Sequence, residues 1–200
     1  MTLDSAKLAG ILLLVGSIQF AISLVIAESI YPGYSISANF ISDLGVWGKP
    51  SAALFNTSIA LLGTLNLVSS YFIKKQFNLG KVAYLFALAS IGTLMVGFFP
   101  ENTVLIGGFP LIHGIAAFLA FLMSGSTAIV AYTYTKSPFR IISTVLGVAS
   151  LLSFVLFLTT AAYGSLGIGN GGLERMIVYP TLLWTISFGG YLLGLPSATS

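Results

Sequence analysis

Long apolar runs alternate along this chain with short polar connections, and the run lengths set its class. A helix rises 1.5 Å per residue, so crossing the roughly 30 Å hydrocarbon core of a bilayer takes about 20 apolar residues. Residues 8–30, 52–73, 82–99, 111–134, 141–163 and 176–193 meet that length. The pattern predicts an all-α integral membrane protein, a bundle of six spanning helices. The connections at 31–51, 74–81, 100–110, 135–140 and 164–175 are short, so residues 1–200 are expected to form a single polytopic membrane domain. The first run invites comparison with a signal peptide, since Lys7 precedes it and Val25-Ile26-Ala27 looks like a small-residue cleavage site. It is longer than the roughly 7–15 residues of a cleaved apolar region, and we read it as a retained anchor.

The connection at 31–51 carries a pattern of its own. Ile36, Phe40, Leu44 and Trp47 recur at intervals of four, four and three, which predicts one apolar side of a short helix. Asn39 and Asp43 share a neighbouring side. An amphipathic helix of this kind lies flat on a membrane surface or folds back into it. It is expected to cap one end of the bundle and hold Asp43 over its mouth.

Composition confirms the class and removes several chemistries. The chain is 56% hydrophobic and 6% charged, with mean hydropathy +1.01, whereas soluble domains are about a quarter charged. It has no cysteine, which excludes disulfides, thiolate catalysis, Cys-ligated zinc and iron–sulfur clusters. There is no haem signal either, and no nucleic-acid partner is expected.

Basic residues orient the bundle, because cytoplasmic loops carry the lysine and arginine excess. Lys7, Lys74, Lys75, Lys81, Lys136 and Arg140 fall on one side of a six-span arrangement, and Lys49 and Arg175 on the other. The expected topology is a multi-pass plasma-membrane protein with both termini cytoplasmic. Acids show the reverse bias. Glu28, Asp43, Glu101 and Glu174 fall on the outer side and only Asp4 inside, and the sole histidine, His113, opens the fourth span at its outer end.

That outer gathering is where chemistry is expected. Ionisable groups near membrane depth are costly and usually have partners. Asp43, His113 and Glu174 are the candidate catalytic residues. Arg175 is the candidate phosphate holder, since a guanidinium is a planar fork; its expected partner is Asp43 or a lipid phosphate. Glu28, Glu101, Tyr34 and Asn56 are expected to support ligand binding. Carboxylates with one imidazole also suit a divalent metal, although no tight metal-binding spacing is present. A His–Asp pair beside Ser35, Ser37 or Ser42 could activate a nucleophile.

Other features have simpler readings. Asn56, Ala60, Gly63, Asn66 and Ser70 form a stripe of small and polar residues on the second span. His113, Ala116, Ala117, Ala120 and Ser124 do so on the fourth, and Ser143, Gly147 and Ser150 on the fifth. Such stripes let helices approach closely in lipid, and the second stripe turns His113 toward protein. Tyr31, Tyr34, Trp47, Phe98, Phe99, Phe109, Tyr163 and Tyr179 suggest an interfacial aromatic belt. Residues 164–172, GSLGIGNGG, lack the strand–turn–helix context of a nucleotide-binding loop and read as a flexible outer loop that could act as a lid, its glycines allowing φ > 0.

The Tyr31-Pro32-Gly33-Tyr34 run, Ile41-Ser42-Asp43-Leu44-Gly45, Phe99-Pro100-Glu101, Leu111-Ile112-His113-Gly114 and Gly172-Leu173-Glu174-Arg175 together resemble the DUF998 family. These are six-span prokaryotic membrane proteins, frequent in archaea and loosely linked to the Frag1/DRAM/Sfk1 group. The resemblance implies the six-span topology and a lipid theme, and carries no established reaction. The expected function is an outer-side polar site that binds, and could process, a lipid headgroup or similar amphiphile. A non-catalytic subunit bridging to partner membrane proteins is the alternative, and a small transporter is the third.

Overall fold

The computed structural model of the protein describes residues 4–77, 80–164 and 167–196, apart from the side chains of residues 76, 77 and 161–163. Six helices form the fold: α1 (Ser5–Ile30), α2 (Ala52–Phe77), α3 (Gly80–Phe98), α4 (Leu111–Val130), α5 (Phe139–Tyr163) and α6 (Gly169–Leu193). Each is long and apolar enough to cross a membrane, and no strand occurs among the described residues. Successive helices are neighbours, and α6 closes back on α1 to complete a ring.

Small residues set the helix spacing. A Cβ at Gly63 would sit 2.5 Å from the Leu94 backbone nitrogen, and one at Gly92 would sit 2.6 Å from that of Ala120. Both contacts join backbones closer than any larger residue allows. Hydroxyls then bridge helices. Ser143 Oγ donates to the Ala128 carbonyl (2.6 Å) and accepts from the Trp184 indole (2.7 Å), and Ser150 Oγ donates to the Ile177 carbonyl (3.0 Å). Interhelical bonds of this kind contribute about 0.6 kcal/mol each in lipid, up to about 1.7.

One end of the ring is solidly packed. Trp184 and Phe188 are buried there with Phe86, Phe139 and Leu192, and the rings of Phe139, Phe188 and Trp184 stack at centroid separations of 5.6 and 4.9 Å. The opposite end is covered by the connection at 31–51, whose Ile41 and Leu44 pack on Phe20, Leu24 and Phe55. We refer to it as the cap.

Two expectations need correction here. The cap is not a short amphipathic helix: a single 3-10 turn at Ser42–Gly45 is its only helical piece among turns. Leu44 is fully buried, whereas Ile36 and Trp47 are 57% and 52% exposed, so the apolar stripe does not form. The cause is local competition. Asp43 Oδ2 accepts from the Phe40 N–H (3.0 Å) and the Asn39 amide (2.9 Å), and Asn39 Oδ1 accepts from the Ser35 N–H (3.0 Å). Short polar side chains that satisfy nearby backbone in this way compete with a regular helix.

The second correction concerns residues 164–172. Of these, 165 and 166 lie outside the described residues, and the lid reading does not hold for 169–172, which begin α6. That helix starts before the apolar run because its polar first turns dock against the cap. The Gly171 N–H donates to the Ser37 carbonyl at 2.9 Å, and a Cβ at Gly171 would overlap the Asn39 carbonyl and lie 2.6 Å from that of Ile36. Gly169 and Gly171 serve close approach to the cap backbone, whereas Gly164 and Gly167 adopt positive φ with no neighbour near a Cβ. Of the expected aromatic belt, Trp47, Phe98, Phe109 and Tyr179 are exposed, while the Tyr163 side chain lies outside the described residues.

Candidate functional site

Arg175 locks the cap to the bundle. From the second turn of α6, its Nη2 donates to Glu28 Oε1 on α1 and to the Tyr34 hydroxyl, both at 2.6 Å. Its Nη1 donates to the Ile36 (2.8 Å), Asn39 (3.3 Å) and Gly171 (3.0 Å) carbonyls. The partner of Arg175 is therefore Glu28 rather than Asp43. Only Nε has no bond, and at 5% exposure the side chain has no free fork to offer a phosphate. Tyr34 passes the anchor on by donating to the Phe40 carbonyl at 2.9 Å. Burial, opposed by Arg175, pushes its hydroxyl up to about 12.

Three further ties complete the cap. Asn56 Nδ2 donates to the Gly45 carbonyl (2.8 Å) and Ser51 Oγ to that of Leu44 (2.8 Å). Asn102 bonds Trp47 in both directions, its Oδ1 accepting from the Trp47 N–H and its Nδ2 donating to the Trp47 carbonyl, each at 3.0 Å. Asp43, Arg175, Glu28, Tyr34 and Asn56 are thus committed to holding residues 31–51 in place, and none of the five lines either of the two cavities beneath it.

Beneath the cap lie two cavities that share Ser42, His113, Ala117, Phe121 and Glu174 in their walls. The deeper one, about 90 Å³, runs down the bundle axis between α2, α3, α4 and α6. The other, about 200 Å³, lies between α4 and α5, with Gly114 and Phe118 facing Phe154, Phe157 and Leu158. Phe118 and Leu158 are about half exposed at its rim, so this cavity reaches the side of the bundle that faces lipid.

Glu101, His113 and Glu174 line this space, and the turn after α3, the start of α4 and the second turn of α6 bring them together. Ser42 Oγ donates to Glu101 Oε1 at 2.5 Å. The same oxygen lies 3.6 Å from His113 Nε2, and His113 Nδ1 lies 2.9 Å from the Phe99 carbonyl. A carbonyl only accepts, so Nδ1 carries the proton and Nε2 is the basic nitrogen of the neutral ring. Glu174, 6% exposed, accepts from the Ile41 N–H and has no ion-pair partner among the described residues.

The arrangement limits the chemistry. Ser42 gives its proton to Glu101, not to His113, and Asp43 faces Asn39 and Phe40, so the nucleophile order Ser–His–acid is not built. Among the described residues no three His, Asp or Glu side chains are grouped to hold a metal ion. What the geometry does provide is an acid beside a tautomerically fixed imidazole, able to take or give a proton at Nε2.

The expected stripe on α4 faces this space: His113, Ala117, Ala120 and Ser124 all line the deeper cavity. The matching face of α6, Glu174, Val178, Thr181 and Thr185, was overlooked although its spacing of four, three and four is in the sequence. The aromatic wall of Phe118, Phe121, Phe154 and Phe157 left no such signal, since phenylalanine is equally at home against lipid.

A family model described as a protein of unknown function, DUF998, matches residues 14–191, the whole ring from the middle of α1 to the end of α6. The chain belongs to the DUF998 family. No curated protein and no solved structure matches it. The five stretches that suggested DUF998 all fall within the matched residues, and all five supply the cap, its anchors or the cavity walls: Tyr34, Ser42, Asp43, Glu101, His113, Glu174 and Arg175. Phe99-Pro100-Glu101 also supplies the carbonyl that fixes the His113 tautomer.

Proposed function

We propose that this DUF998 protein binds an amphiphile from the surrounding membrane, admitting it between α4 and α5 and holding its polar head under the cap. One observation carries the reading: the cavity between those helices is polar at one end and apolar along its length. Ser42, Glu101, His113 and Glu174 gather at the cap, and Phe118, Phe154, Phe157 and Leu158 continue toward the lipid-facing side. A ligand pocket with largely apolar walls and a few convergent polar groups fixes one end of its ligand and buries the rest. The lysine and arginine distribution favours a cap facing outside the cell. Binding fits better than passage, because the packed rings of Phe139, Trp184 and Phe188 close the opposite end of the bundle.

Ala117, on the wall shared by both cavities, gives the test. Native mass spectrometry of protein extracted from its membrane should find an amphiphile-sized adduct in the wild type. The adduct should be lost in Ala117→Trp, whose indole would fill the junction. Equal adduct in both proteins would defeat the reading.

A further inference from the structure

The polar groups of the cavity are of one kind. The Ser90 hydroxyl donates to the Phe86 carbonyl (2.6 Å), Thr93 to Ala89 (3.0 Å), Thr181 to Val178 (2.9 Å) and Thr185 to Thr181 (2.8 Å). Ser42 gives its proton to Glu101, and His113 Nδ1 to the Phe99 carbonyl. With these hydrogens committed, the hydroxyls have lone pairs rather than hydrogens to offer the space, as does His113 Nε2 when the ring is neutral. Glu101 and Glu174 add carboxyl oxygens. Apart from the carboxyl groups themselves, the Ser124 hydroxyl and the Asn66 amide hydrogens are the donors left uncommitted among the described residues, and no described lysine or arginine lines either cavity.

A buried acceptor without a donor costs about 1–3 kcal/mol, and more where it is charged. An interior built of acceptors is therefore completed by a guest that brings hydrogens and positive charge. From this census we infer that the head held under the cap is a protonated amine, so that the ligand is an ammonium-bearing amphiphile and not one whose head is a bare phosphate. The inference rests on the amphiphile pocket proposed above and specifies its chemistry. An ammonium group has three donors and no acceptor, which matches Glu174 and the Glu101–His113 pair, all bordering the space under the cap. The 90 Å³ chamber has room for several water-sized groups.

The test compares three single-chain probes, dodecylamine, dodecyl phosphate and dodecanol. Each is titrated at pH 7 into protein in phosphatidylcholine nanodiscs, with empty nanodiscs as the blank. Dodecylamine should bind saturably and most tightly. Its affinity should fall at least about tenfold in Glu174→Gln, which keeps an acceptor for the Ile41 N–H, and in Glu101→Gln should Glu174→Gln not fold. Dodecyl phosphate binding as tightly as dodecylamine, or unchanged dodecylamine affinity in both variants, would overturn the ammonium inference and leave the pocket standing. Failure of all three probes to bind the wild type would remove the pocket itself. Competition from an ethanolamine-headed phospholipid would assign the amine to a membrane phospholipid, and binding without such competition would assign it to a single-chain amine.

Discussion

Replacing Arg175 with methionine isolates the device on which the cap depends. Methionine retains much of the apolar stem and removes the guanidinium, so packing changes little while five hydrogen bonds disappear. Glu28, with its side chain 16% exposed, is left without its cation, and the Ile36 and Asn39 carbonyls lose a donor. Breaking a buried ion pair from one side costs about 3–5 kcal/mol, because the surviving charge stays where water cannot solvate it. At about 1.4 kcal/mol per factor of ten, the cap should open roughly two to nearly four orders of magnitude more often. Amide hydrogen exchange reads this directly. The reporters are the Asn39 N–H, bonded to the Ser35 carbonyl at 2.8 Å, and the Gly171 N–H, bonded to that of Ser37 at 2.9 Å. The double variant Glu28→Met with Arg175→Met removes the stranded charge and should recover part of the loss. Wild-type exchange at both amides in Arg175→Met would refute the reasoning. A double variant no better than the single one would place the cost in the backbone carbonyls instead.

Gly171→Ala should lower the midpoint of thermal unfolding in detergent by the equivalent of about 1–3 kcal/mol, since its Cβ meets cap backbone that cannot step aside. Gly114→Ala, whose Cβ meets nothing within 4 Å, should leave the midpoint unchanged or raise it by the equivalent of about 1 kcal/mol. In an ultraviolet pH titration, Tyr34→Phe should delete the tyrosine that ionises near 12. Tyrosine in an unfolded chain ionises near 10, so the proton Tyr34 retains stabilises the fold fully below that pH, and this contribution is lost as pH rises from about 10 toward 12. The chain has no cysteine, so single cysteines report orientation cleanly. A membrane-impermeant maleimide applied to intact cells should label Lys49→Cys, and should reach Lys136→Cys only after permeabilisation.

How much of this was legible follows from which forces act locally. Helix existence was readable, because 20 apolar residues in a row have few alternatives, and the observed helices differ from the runs mainly at their ends. The α6 start at Gly169 was not readable. Residues 169–175 look like a loop by composition, and they become helical because the Ile36, Ser37 and Asn39 carbonyls lie across them. The cap conformation was misread for a related reason. The intervals of Ile36, Phe40, Leu44 and Trp47 fit a helix, but Asn39 and Asp43, taken only as a polar face, bond their own backbone and prevent it. At the site, the face of α4 was legible from spacing alone. The pairing of Arg175 with Glu28 was not, since 147 positions separate them and nothing local distinguishes Glu28 from Asp43 as a partner.

That pairing decides where the charge surplus at the cap end goes. Four acidic side chains stand there against Lys49 and Arg175. Arg175 is spent on Glu28, and Lys49 lies over the Tyr31 ring with its ammonium 4.8 Å from the centroid. Asp43 is quieted by two donors from within the cap. Glu101 and Glu174 remain, and they are the two acids that border the cavities. Had Arg175 turned to Glu174 instead, the cap would have lost its anchor and the chamber its acid in one step. Using the guanidinium on α1 and the cap backbone both seals the bundle end and leaves the interior short of positive charge. The closure of the cap and the demand for a cationic guest are thus two results of one side-chain orientation.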